Sequence, residues 1–100
     1  MIDGAIAGKV CGRPEIRSGK GGKAAVVVRI RAAAAGGEGV QVNVAAYVHE
    51  VREVLLSLDD GATVVLQGRI TPSLWKDEAG TVKPALEMEA TAVLSAHVSG

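Results

Sequence analysis

The sequence has no Phe, a single Tyr and a single Trp in 100 residues. A core made without aromatic rings has to come from Val, Ala, Leu and Ile, and the 48% hydrophobic content supplies them. Cysteine is also scarce: Cys11 stands alone, which excludes an internal disulfide, and within an apolar run it reads as a small core side chain. Cys11, His49 and His97 share no metal-ligand spacing, so neither a metal nor another cofactor is expected. No apolar block reaches the length of a signal peptide or a membrane span, and with a reduced cysteine this points to a cytoplasmic protein with no membrane partner.

Net charge is missing as well, with 11 basic and 11 acidic side chains, yet the charges are not mixed. Residues 1–31 carry seven Lys/Arg against two Asp/Glu, while residues 32–100 carry four against nine. Zero net charge excludes a protein that coats a polyanion by bulk attraction. A basic N-terminal third still makes a local anion-binding surface.

What is present is alternation. Ile2 to Val10 reads as a first strand, with Gly4 and Gly8 as bulge or bend positions. Residues 13–17 (RPEIR) are extended around Pro14, and SGKGG at 18–22 is a turn. Ala24 to Ala32 is a second strand, in which Val26, Val28 and Ile30 alternate with Val27, Arg29 and Arg31, so both arginines project from one side. After a small-residue connection at 32–39, Val40 to Val48 forms a third strand. From His49 the period changes to helical, through Val51, Val54, Leu55 and Leu58, and Asp59-Asp60-Gly61 stops the helix. Val64 to Ile70 is a fourth strand, Pro72 to Val82 a polar hairpin, and Ala85 to Leu94 a fifth strand.

Three strands, one helix and two more strands is the order of an OB-fold, an all-β five-stranded Greek-key barrel with a helix between strands 3 and 4, here filling residues 1–100 as a single domain. The order alone also tolerates an open α+β sheet. Short Val-rich strands favour closure, which removes the edges they would otherwise expose.

Catalytic motifs are lacking. GKGGK at 19–23 has no Ser or Thr after its lysine and leads into a strand, so it is not a phosphate loop. The carboxylate pairs Asp59-Asp60 and Asp77-Glu78 fall at a helix end and a hairpin tip, where solvated charges belong, and no nucleophile-base arrangement can be assembled. The protein is expected not to be an enzyme. Trp75 is either folded back on the barrel or presented to a ligand; beside Lys76, an exposed indole is what stacking on a nucleobase requires.

Three segments carry a family resemblance: IAGKVCGRPEIRSGKGGKAAVVVRIRA at 6–32, VQVNVAAYVHEVREVLLSLDDGATVVLQGRI at 40–70 and LWKDEAGTVKPALEMEATAV at 74–93. In order and spacing the chain resembles the bacterial single-stranded DNA-binding proteins, through their Pro-Glu-apolar-Arg step, Gly-Gly turn, apolar-Gln-Gly ending of the fourth strand and Trp-x-Asp-x-x-Gly hairpin. The resemblance implies a homo-oligomeric OB-fold, dimer or tetramer, that binds single-stranded DNA in replication, repair or recombination, with RNA left open as a ligand. It places Arg17 near the DNA path and Trp75 at a base-stacking position. Val42 and Val48 stand where the family has stacking aromatics, Glu50 and Asp60 replace lysines, Ser73-Leu74 replaces a basic pair, and the sequence ends at Gly100 without an acidic tail.

The nucleic-acid contacts expected on this basis are Arg13, Arg17, Lys20, Lys23, Arg29, Arg31, Trp75 and Lys76, with Arg69, Lys83 and Tyr47 as possible extensions. The alternative is an OB-fold interaction or assembly module, or a primosomal accessory protein, that has lost most nucleic-acid contacts; Val42, Val48 and Leu74 would then form an apolar protein-binding patch.

Overall fold

The computed structural model describes residues 2–18, 20–33 and 39–97, with Lys20 described by its backbone alone. Five strands and one helix follow the alternation closely: β1 (Ile2–Ser18), β2 (Ala24–Ala33), β3 (Gly39–Ala46), α1 (His49–Leu56), β4 (Thr63–Lys76) and β5 (Val82–His97). They close into a barrel in the order β1-β2-β3-β5-β4, with β4 returning to β1. Only β3 and β5 pair in parallel; α1 carries the chain from the end of β3 to β4, which lies on the far side of β5. This is the OB-fold expected from the sequence, and the open-sheet alternative is excluded by the β1–β4 ladder.

Inward positions are aliphatic. Val26, Val28 and Ile30 of β2 meet Val42 and Val44 of β3, Val64 and Leu66 of β4 and Met88 of β5, all buried. Val51, Leu55 and Leu58 pack onto this core from the helix and the turn after it. An eight-residue helix without a side-chain N-cap does not persist alone, so its apolar face holds it in place. The helix stops at Leu56, two residues before Leu58, and tightens: the N–H groups of Ser57 and Leu58 donate to the carbonyls of Val54 and Leu55. No charged or polar side chain is buried among the described residues.

β1 serves two partners. Residues 2–9 pair with β4, while residues 8–11 and 15–18 pair with β2. Gly8 and Lys9 lie where both ladders overlap, and a Cβ on Gly8 would come 2.6 Å from the Arg31 carbonyl oxygen. The irregularity expected at Gly4 is absent from the ladder; the break lies between Cys11 and Glu15, where Gly12 takes a φ of 80°. The Gly12 N–H donates to Asp60 Oδ1 at 2.7 Å, and the Gly61 N–H donates to the Val10 carbonyl at 2.8 Å, so the α1–β4 turn pins the bulge. Asp60, expected to be merely a solvated helix-end charge, has this structural task.

The fourth and fifth strands are longer than their sequence signal. Pairing continues past Ile70–Met88 through Trp75–Lys83 to Lys76–Val82, across what the polar composition marks as a loop. From Thr71 onward β4 pairs with β5 alone, and before Ala85 β5 pairs with β4 alone, so residues 74–76 and 82–84 form a two-stranded ribbon beyond the barrel. Each of these segments has an open edge, where a proline without an N–H can sit without costing a ladder bond; Pro72 and Pro84 are both in them. The ribbon turns at Asp77, whose Oδ1 accepts from the Thr81 N–H at 2.9 Å.

Candidate nucleic-acid interface

The period of two puts Val27, Arg29 and Arg31 of β2 and Gln41, Asn43 and Ala45 of β3 on the outer face of the barrel. Across the parallel β3–β5 ladder the same face continues through Glu87 and Glu89, and across β4 through Thr71 and Arg69. The registers align these residues in transverse rows. One row runs Cys11, Arg29, Asn43, Glu87, Thr71; the next runs Glu15, Val27, Ala45, Glu89, Arg69.

Two open grooves lie on this face and share Asn43, Ala45 and Glu87 as their common floor. The first, about 530 Å³, is walled by Arg13, Glu15 and Arg17 of β1 and Arg29 of β2. The second, about 590 Å³, is bounded by Lys23, Tyr47, Arg69, Thr71 and Glu89. Together they hold five cations against three carboxylates. The bulge at Gly12 is what turns the β1 segment from 13 onward along this groove after its break from the regular ladder.

The side chains are in solvent but not random. The Arg17 guanidinium donates to Glu15 Oε2 at 3.1 Å, an exposed pair two residues apart on one strand face. On the floor the Gln41 side-chain amide donates to Asn43 Oδ1 at 3.1 Å, and the Asn43 amide donates to Glu87 Oε1 at 3.2 Å. These hydrogen bonds tie the outer face of β3 to that of β5.

Of the residues singled out from the sequence, Arg13, Arg17 and Arg29 meet in the first groove and Lys23 lies in the second, with Arg69 and Tyr47 beside it. Arg31 projects from the same face of β2 but lines neither groove; its aliphatic stem lies against Gly39, where a Cβ would not fit. The Lys20 side chain lies outside the described residues, as does most of the expected 32–39 connection. Trp75 is half-buried on the ribbon face continuous with Glu87 and Thr71, and the Lys83 ammonium sits 5.8 Å from its ring centroid. Lys76, the next residue along, turns to the ribbon's other face with Leu74 and Val82. The cation beside the indole is therefore Lys83, which also approaches Asp77 at 3.9 Å.

Val42 is 0% exposed, a member of the core, so it takes no part in an apolar outer patch with Val48 and Leu74. The outward side chains that flank it in β3, Gln41 and Asn43, are polar. Asn43, Glu87 and Glu89, and Gln41 that holds Asn43, are residues of this face that reading the sequence does not select. Their signal was the polar half of the alternation in two strands, which is indistinguishable from an ordinary wet face until β3 and β5 are known to be neighbours.

No protein-family profile matches the chain, and no curated protein matches it. Solved structures do. The small single-stranded DNA-binding protein from Streptomyces coelicolor superposes with a TM-score of 0.71 at 24% identity, covering 92% of this chain and 91% of that one. A mitochondrial single-stranded DNA-binding protein from S. cerevisiae gives a TM-score of 0.73 at 11% identity over 98% and 97% of the two chains. The Plasmodium falciparum single-stranded DNA-binding protein, in complex with single-stranded DNA, gives 0.62 at 15% identity over 91% and 87%. The chain has the fold of these proteins over nearly its whole length.

Proposed function

We propose that this chain is a non-catalytic, cytoplasmic single-stranded DNA-binding protein, one OB-fold domain acting in replication, repair or recombination. The observation that carries this reading is the convergence of Arg13, Arg17 and Arg29, from two strands and either side of a bulge, on one groove of the β2–β3 face. That face is where OB-folds take oligonucleotides. In this reading the three guanidiniums and Lys23 hold phosphates, while Trp75, backed by Lys83, stacks on a base near the ribbon. The relatives' other stacking rings have no counterpart in the groove except Tyr47, so ionic contacts carry most of the affinity.

The reading also makes the protein a homo-oligomer. The outer faces of β1 and β4 pair Ala5 with Gln67 and Ala7 with Val65, an uncharged stretch between Asp3–Arg69 and Lys9–Thr63 for a second copy to cover.

The test is a titration with a labelled oligo-dT read by anisotropy, with the fluorescence of Trp75 followed in parallel. Binding at low salt, quenching of the indole and a fall of log affinity with log salt at a slope near −3, from about four phosphate contacts, are expected. No anisotropy change at low salt overturns the proposal.

A further inference from the structure

The groove is divided along its length by chemistry, and the division has a consequence for which bases it accepts. In the transverse row Arg29–Asn43–Glu87, neighbouring residues belong to adjacent strands, so the cation and the carboxylate lie two strand spacings apart, roughly 10 Å between backbones. Of the phosphate-binding groups, Arg13, Arg17 and Arg29 lie on the β1–β2 side in the first groove, and Lys23, just before β2, lines the second. The β5 side presents Glu87 and Glu89, which repel phosphate.

The amides between them are partly engaged, with one N–H of Gln41, and one N–H and one lone pair of Asn43, in use. Asn43 Oδ1 accepts from Gln41, and its amide nitrogen donates to Glu87 Oε1. The carboxylates of Glu87 and Glu89 have acceptors only. The β5 carboxylates therefore make acceptor capacity the main offering of that side of the floor, between the β1–β2 guanidiniums and Arg69 of β4.

We infer that the strand lies with its phosphates along Arg13, Arg17 and Arg29 and its bases over Asn43, Glu87 and Glu89, where the floor selects bases carrying an amino donor. This rests on the proposed function and specifies its ligand. Cytosine places an N4 amino group where uracil and thymine place the O4 acceptor, and a carboxylate that accepts from the first repels the second. Cytosine-containing single strands are thus preferred over uracil- or thymine-containing ones, by hydrogen bonding rather than by stacking strength.

The test compares labelled oligo-dC and oligo-dU of equal length by anisotropy at pH 8 and low salt, with the unaltered protein and with Glu87→Gln and Glu89→Gln. The two oligonucleotides differ at the 4-position and in N3 protonation but not in backbone charge. Oligo-dC is expected to bind about 5- to 10-fold tighter. Glutamine can donate as well as accept, so in the variants oligo-dU gains more than oligo-dC and the ratio falls below about twofold. Equal affinity of the unaltered protein for both oligonucleotides overturns the inference and leaves single-strand binding standing. So does a variant that tightens both equally, since the carboxylates then act only as bulk charge. Failure of both oligonucleotides to bind overturns the proposed function, and this inference with it.

Discussion

The two sides of the groove are made of the same alternating strands and differ in how they are held. On the β1–β2 side, Arg29 stands in a ladder paired on both edges, and Arg13 lies in the bulge that the Gly12–Asp60 hydrogen bond ties down. On the other side, Trp75 rides a ribbon in which residues 74–76 and 82–84 pair only with one another. In the proposed reading, the cations that meet phosphates centre on Arg29, on a strand paired along both edges, while the ring that stacks on a base stands on the element with fewer neighbours, where adjustment costs least. The charge imbalance between the first third of the sequence and the rest is thereby converted into a difference across a groove.

Removing the charges of the β1–β2 side should have the largest effect. The triple variant Arg13→Ala, Arg17→Ala, Arg29→Ala is expected to weaken oligo-dT binding by roughly two to three orders of magnitude at low salt and to flatten the salt slope by about 2, with the fold retained because all three side chains are exposed. Anisotropy titrations at several salt concentrations read both quantities; an unchanged slope would put the phosphates elsewhere. On the ribbon, Trp75→Ala should weaken binding about 5- to 150-fold, from a stacking contribution of about 1–3 kcal/mol, and leave the salt slope unchanged. If the slope moved with Trp75 and not with the arginines, the division of labour between the two sides would be reversed.

A smaller effect probes how the bulge is held. Asp60→Ala removes the acceptor from the Gly12 N–H without touching the groove, and should cost about 0.5–1.5 kcal/mol in denaturant unfolding. Affinity should fall about threefold through the loosened aim of Arg13, and Asp60→Asn, which keeps an oxygen acceptor, should restore most of both. Equal affinity for Asp60→Ala and the unaltered protein would show that the bulge is stiff without its tether.

Much of this architecture is legible in the sequence because it depends on local periods. Val26-Val28-Ile30 against Val27-Arg29-Arg31 fixes which face of β2 is wet, and Val51, Leu55 and Leu58 fix the buried side of α1 and its following turn. Pairings distant in sequence are not legible in this way. Glu87 meets Asn43 only through a parallel ladder set by chain crossing, and Asp60 reaches Gly12 across 48 positions. The ribbon is illegible for a different reason: Pro72 and Pro84 argue against strand wherever both edges are occupied, and an edge is free for them only because β4 outruns β1 and β5 starts ahead of the β3 ladder. Val42 was misassigned to the surface by the resemblance, although its own alternation with Gln41 and Asn43 places it inside.

The smallest expected effect separates steric from electrostatic roles on the cationic wall. Glu15 accepts from Arg17 at 3.1 Å with both side chains about two-thirds exposed, so the pair itself stabilises the fold little. A phosphate approaching Arg17 must displace or share that contact, and it meets the charge of Glu15 as it does so. Glu15→Gln keeps the shape and an acceptor while removing the charge. It should therefore leave the unfolding midpoint within error and tighten oligo-dT binding about two- to threefold at low salt, a gain that shrinks as salt screens the carboxylate. Weaker binding in this variant would mean that Glu15 holds Arg17 in its binding posture, and the β1 wall would then owe its order to ion pairing as well as to its ladder.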